Sequence, residues 1–238
     1  MTAKICFFDI ETSNLNANFG YILSFGWKFQ GEKEASVISI ADYPLFKRDP
    51  TNDKLLVKDI AEIMMGADVL VGHYSQRFDV PFINTRLLTH GFHPLPPIPH
   101  IDTWRICKYK MKLNSNRLDT VSKFLRVEHN KSPVDGIHWV RAMAGNKKSL
   151  QYVIKHNLLD VLVLEEVYNR IRSLTTVHPN LNIVSGKYES CPVCNAEGKL
   201  QKRGFNIART TKTQRFQCKA CGSWSRGRPQ RIEEIDIR

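Results

Sequence analysis

Three stretches set charged side chains inside runs that are otherwise apolar: FFDIET at residues 7–12, FDVPFI at 78–83 and NLLDVLVL at 157–164. A carboxylate taken out of water is costly unless hydrogen bonds or a cation meet it. A fold that buries these runs must therefore give Asp9, Glu11, Asp79 and Asp160 something to bind. FFDIET reads as a buried strand, and alternation along a strand sends Asp9 and Glu11 to the same face. Asp79 stands at or near an N-cap, because Pro81 is tolerated in the first turn of a helix and hardly beyond it. Asp160 lies on a long helix with an apolar stripe, and His156, one turn earlier, shares its face.

Clustered carboxylates suit hard divalent cations such as Mg²⁺ and Mn²⁺, which take oxygen ligands. Two such ions about 3.5–4 Å apart clamp the attacking and leaving oxygens of an in-line phosphoryl displacement. A neutral imidazole at His156 is placed to take a proton from the attacking water. The residue types therefore point to metal-assisted hydrolysis of a phosphate ester.

The chain reads as strands at 4–10, 21–29 and 35–40, a helix at 54–65 and a short apolar strand at 68–72. A helix opens at Asp79. The Pro-rich segment 93–104 ends in an extended piece at Ile101–Asp102, and helices follow at 117–127 and about 148–173. Strands first, then strands alternating with helices, predict an α/β layer structure with a mixed sheet. No internal repeat or Gly-rich phosphate loop is present. Residues 174–187 lack periodicity, which sets a catalytic domain at 1–176, a linker at 177–187, a small domain at 188–231 and a tail at 232–238.

The small domain carries much of the charge. The chain has a formal net charge of +12, and residues 187–238 alone hold 12 Lys/Arg against 5 Asp/Glu. Nucleic acid is the commonest polyanionic partner for such a segment. Cys191-Pro-Val-Cys194 and Cys218-Lys-Ala-Cys221 are separated by 23 residues, the pattern of a four-cysteine zinc ribbon holding one structural Zn²⁺. Cys6 and Cys107 stand alone and read as buried apolar residues. Lys202, Arg203 and Arg215 are candidate phosphate contacts, Trp224 is either a stacking platform for a base or part of the ribbon's small core, and Phe216 reads as a residue of that core. No stretch has membrane-spanning length, and MTAKICFFDIET enters a strand without a signal-peptide pattern, so an intracellular, cytoplasmic protein without a membrane partner is expected.

FFDIET, GHYSQRFDVPFI (72–83) and YVIKHNLLDVLVLEEVY (152–168) resemble, in order and spacing, the three motifs of the DEDD superfamily of 3′–5′ exonucleases. The likeness is to the proofreading domain of family-B DNA polymerases and its stand-alone relatives, and covers roughly residues 4–172. It implies an RNase H-like fold. It also implies that Asp9, Glu11, Asp79 and Asp160 hold two Mg²⁺ or Mn²⁺ ions, with Thr12, His73, Tyr74 and Phe78 beside the substrate. The polymerase-type branch has Tyr where His156 stands, while the branch using a His base places it one residue earlier. Tyr74 replaces an Asn that hydrogen-bonds the terminal sugar in many relatives; a Tyr there can stack on a base. The C-terminal segment resembles zinc ribbons of transposases and other nucleic-acid proteins.

The expected function is a metal-dependent 3′–5′ exonuclease acting on single-stranded DNA ends, with the ribbon tethering substrate. A 3′–5′ exoribonuclease and a non-catalytic nucleic-acid adaptor are the alternatives; retention of all four carboxylates weighs against the adaptor. A DDE-type transposase is disfavoured by the close Asp-x-Glu pair. DNA is favoured over RNA, and a replication or repair protein is the protein partner class left open.

Overall fold

The computed structural model describes residues 3–129 and 135–231; the tail at 232–238 lies outside them. The chain forms two compact units, Lys4–Ile171 and one that begins at Arg172. The first contains, in order, β1 (Ile5–Thr12), β2 (Ile22–Phe29), β3 (Ser36–Ser39), α1 (Lys54–Met65), β4 (Val69–Gly72) and α2 (Asp79–Thr89). It continues through β5 (His100–Asp102), α3 (Thr103–Lys110), α4 (Leu118–Leu125), α5 (Gly136–Met143) and α6 (Lys147–Ile171). The second holds α7 (Leu181–Ser185), β6 (Leu200–Ile207), β7 (Thr211–Cys218), β8 (Trp224–Arg226) and β9 (Gln230–Arg231). Among the described residues no helix is long and apolar enough to cross a membrane.

The sheet of the first unit runs β3-β2-β1-β4-β5. β1 pairs antiparallel with β2 and parallel with β4, and β4 pairs parallel with β5. The expected mixed sheet between helices is present. Ile5, Cys6, Phe7 and Phe8 are fully buried at its centre, and each large apolar side chain there contributes about 1.5–3 kcal/mol. Alternation sorts them: Cys6, Phe8 and Ile10 join the core with Leu56, Ile60, Phe82 and Ile83 of α1 and α2. Phe7 meets Tyr168 of α6 edge-on, ring centroids 5.4 Å apart. Asp9 and Glu11, in phase with Phe7, therefore face α6.

One buried polar cluster fixes how α1, α2 and β2 meet. Asp53, fully buried before α1, accepts the N–H of Ile22 at 2.9 Å. It is paired with Arg86 of α2 through Nη2 at 2.7 Å and Nε at 3.0 Å, and with His90 Nε2 at 2.6 Å. A charge so deeply placed persists because each of its oxygens is met.

In the second unit, the segment read as a linker contains α7. Asn180 caps it, its Oδ1 accepting the N–H of Asn182 at 3.0 Å, and Gly186 ends it in the left-handed region at φ 69°. Leu181 is buried and its N–H donates to the carbonyl of Pro192, which binds the segment into the unit. Five residues are too few for apolar periodicity to show.

Candidate active site

The site forms where β1 outruns its neighbour. The last residues paired between β1 and β4 are Phe7 and Val71, so beyond them β1 has only β2 beside it. The space left open is taken by the loop that follows β4 and by the start of α2. The Ile10 N–H, which has no strand partner on that side, donates to Oδ1 of Asp79 at 3.2 Å. Asp79 is thus held against β1 by the gap in the ladder, 4 % exposed. Burial, with a smaller contribution from the charge of Asp102, pushes its carboxyl up to about 7.

α6 supplies the opposite wall. Asn157, fully buried, donates from Nδ2 to Oδ2 of Asp9 at 2.8 Å, and its Oδ1 lies 3.3 Å from the Ser24 hydroxyl. Close approach of helix to sheet requires Gly26, the partner of Asp9 on β2. A Cβ at that position would stand 2.9 Å from Asn157 Oδ1 and 3.0 Å from Val161 Cγ2. His156 and Asp160 are buried one turn apart; His156 Nε2 lies 3.9 Å from Glu11 Oε1 and 3.7 Å from Asp160 Oδ2. Glu11, His156 and Asp160 form a group whose ligand atoms all lie within 4.8 Å of one another. α5 closes this corner. Its Trp139 donates from Nε1 to Glu11 Oε2 at 3.2 Å and sets its ring perpendicular to His156, centroids 5.3 Å apart.

The loop after β4 is shaped by Asp102 at the end of β5. Its carboxylate accepts the N–H groups of Tyr74 at 2.9 Å, Gln76 at 3.2 Å and Trp104 at 2.9 Å. The turn is tight enough that a Cβ at Gly72 would fall 2.2 Å from Ser75 Oγ. His73 braces the turn: its Nδ1 lies 2.9 Å from Thr103 Oγ1, and its Nε2 lies 2.8 Å from the Asn116 carbonyl. Tyr74 is held at φ 66°, partly exposed, with its ring edge-on to Trp104 at 5.0 Å. A bulky residue in the left-handed region signals local strain, which concentrates at functional sites.

Asp9, Glu11, Asp79, His156 and Asp160 border one open cavity of about 410 Å³, together with His73, Tyr74 and Phe78. Thr12 does not line it, and its hydroxyl is engaged by the carbonyl of Asn14 at 2.8 Å. Sequence reasoning missed Asn157, Trp139 and Asp102. Asp102, in HIDTW, carries the signal that marked the others, a carboxylate after an apolar residue of a buried strand. Four carboxylates and an imidazole converging on one cavity fit a divalent-cation site.

In the C-terminal unit the two Cys pairs form matching knuckles. The N–H of Asn195 returns to the carbonyl of Cys191 at 2.7 Å, and that of Gly222 to Cys218 at 2.9 Å. Both turning residues are left-handed, at φ 58° and 75°. The four sulfurs lie within 4.8 Å of one another, with Cys191–Cys221 and Cys194–Cys218 each at 3.7 Å. Four ligands about 2.3 Å from one centre in a tetrahedron stand about 3.8 Å apart, whereas a disulfide would be about 2.05 Å. The cluster therefore has the dimensions of a tetrahedral metal site. Val193, Ala196 and Leu200 pack round it; Phe216, expected in that core, is only half-buried and is not among them. Lys202 pairs with Phe216, while Arg215 lies on the other face of β7 with Trp224, over whose ring it sits at 5.4 Å. Arg203 is exposed at a register shift in β6. The four expected contacts do not form one cluster, because successive residues of a strand point to opposite faces.

Residues 6–172 match the profile of the RNase H superfamily. A DNA polymerase III PolC-type of Ureaplasma parvum serovar 3 is 32% identical over 146 residues, covering 54% of this chain and 10% of that protein. The chain thus spans about a tenth of the length of this relative. Among solved structures, a family B DNA polymerase from the hyperthermophilic archaeon Pyrobaculum calidifontis matches at a TM-score of 0.52 and 14% identity. That match covers 88% of this chain and 32% of the polymerase, and at this identity speaks for the fold alone.

Proposed function

The chain belongs to the RNase H superfamily, and we propose that it is a metal-dependent 3′–5′ exonuclease that removes nucleoside 5′-monophosphates from single-stranded DNA ends. The observation that carries this reading is the meeting of Asp9, Glu11, Asp79 and Asp160, from three distant segments, on one cavity with His156. The direction rests on the likeness of FFDIET, GHYSQRFDVPFI and YVIKHNLLDVLVLEEVY to the proofreading exonucleases.

The four carboxylates would hold two Mg²⁺ or Mn²⁺ ions. When bound, these ions neutralise phosphate charge and make the attacking water more acidic. The protein's own groups do the rest. Asn157 keeps Asp9 in place, Trp139 does so for Glu11 and the Ile10 N–H for Asp79. His156 accepts a proton from the attacking water. The water oxygen bonds to phosphorus as the P–O3′ bond breaks, and the departing O3′ takes a proton to become the new 3′ end. Tyr74 and Phe78 offer aromatic surface to the terminal base. The four-thiol cluster would hold one structural Zn²⁺, and the basic unit around it tethers substrate through phosphate contacts.

The test is the purified chain with 5′-labelled single-stranded DNA or RNA, with Mn²⁺ or without added divalent cation, beside Asp9→Ala. A ladder shortening from the 3′ end only with Mn²⁺, and absent in the variant, is expected. Intact oligonucleotide in every condition would overturn the reading, and a ladder with RNA alone would reassign the substrate.

A further inference from the structure

The C-terminal unit has a cavity of its own, about 610 Å³, that the catalytic chemistry does not use. One wall is a face of the small sheet. β7 and β8 pair with Arg215 opposite Arg226 and Gln217 opposite Trp224, so both arginines and the indole project to the same side. Asn206 joins them from β6, opposite Thr213. The other wall is the segment that follows α6, through Thr176 and His178.

Two features of this wall point to a ligand. Like charges directly opposite on antiparallel strands repel, and among the described residues no carboxylate lines the cavity to compensate Arg215 and Arg226. An anion between the two guanidinium groups removes that repulsion, and a phosphate suits their planar forks. Beside them Trp224 is 50% exposed, an unusual state for a residue of its size, with Arg215 over its ring at 5.4 Å. A flat aromatic surface next to an anion subsite, in a cavity of this volume, has the make-up of a nucleotide pocket.

We propose that this cavity binds one unpaired nucleotide of a single-stranded nucleic acid, with its base stacked on Trp224 and its phosphate between Arg215 and Arg226. The choice of nucleic acid as ligand rests on the nuclease reading; the pocket assignment itself rests on the sheet face. The basic C-terminal unit then carries a defined subsite, in which Lys202, on the opposite face of the sheet, has no part.

The experiment uses the full chain carrying Asp9→Asn, so that substrate survives, with fluorescein-labelled dT12 or rU12 followed by anisotropy over a range of salt. Trp224→Leu is expected to raise Kd about tenfold, in line with about 1–3 kcal/mol for a stacked base. Trp224→Phe should restore most of the affinity. Arg226→Gln should weaken binding and lower the salt slope by about 0.7, whereas Lys202→Gln should leave that subsite's stacking contribution intact. Zinc content, measured for each variant, shows that the ribbon is folded. Unchanged Kd in Trp224→Leu and Arg226→Gln at full zinc content would overturn the proposal. Equal losses in Trp224→Leu and Trp224→Phe would remove the stacking contact. Nuclease activity of the unaltered chain is scored separately. Binding that depends on Trp224 without cleavage would sink the nuclease reading alone; cleavage with Trp224-independent binding would sink only this pocket. Comparison of dT12 with rU12 decides which sugar it accepts.

Discussion

Gly26 shows how finely single atoms are matched at the carboxylate cluster. Its missing side chain is what lets Asn157 reach Asp9, so Gly26→Ala should push the amide aside. We expect a fall of tenfold or more in cleavage rate with about 1–3 kcal/mol of destabilisation. The double variant Gly26→Ala/Asn157→Ala should regain much of the stability and none of the rate, read by melting and single-turnover cleavage. His100 gives a second residue-scale outcome. Packed against Phe8 and beside the Ser75 hydroxyl, its imidazole is pushed by burial from 6.5 down to about 4. Between those values the unfolded chain binds a proton that the folded chain does not, so this contribution is lost as pH falls from 6.5 towards 4. The loss is about 1.4 kcal/mol per pH unit. Urea unfolding across that window should show this slope in the unaltered chain and a shallower one in His100→Asn; equal slopes would count against it. The four carboxylates of the cavity were legible because a charge in an apolar run marks itself. Asn157 and Trp139 were not, since an amide or an indole on a helix carries no such mark until its partner is known.

The helices that escaped the sequence are all short. α3 and α5 span 8 residues each and α7 spans 5; α4, also of 8, was legible because Leu118, Val121 and Leu125 stand on one face among polar neighbours, a contrast the others lack. α1 and α6, at 12 and 25 residues, repeat their stripes often enough to be read directly. α5 is nonetheless the element that carries Trp139 to Glu11. Its start is capped by Asp135, whose Oδ1 accepts the Ile137 N–H at 3.2 Å. Asp135→Ala should cost about 1 kcal/mol. It should also speed hydrogen exchange across Gly136–Met143 while α6 stays protected. Exchange unchanged in α5 would mean that packing on α6, including the stack of His138 on Tyr152 at 4.2 Å, holds the helix without its cap.

For the whole molecule, two compact units joined after Ile171 predict two separable stabilities. Among the described residues the second unit's apolar core is small, Val193, Ala196 and Leu200 about the thiols with Leu181 buried as well, so its folding should depend on a metal held by the four cysteines. Cys194→Ser, or a zinc chelator, should abolish the transition of this unit and leave that of residues 4–171 within a few degrees of its original midpoint. Loss of both transitions together would show that the units are energetically one. The first unit stands on a large core, and its buried triad of Asp53, Arg86 and His90 ties three elements through one carboxylate. Removing the Arg86 guanidinium leaves the buried Asp53 carboxylate without its cation, at a cost of about 3–5 kcal/mol. Lineages descended from this sequence should therefore exchange all three positions in concert or none of them, and the trio should stand out as a covarying set although none of the three lines the carboxylate cavity.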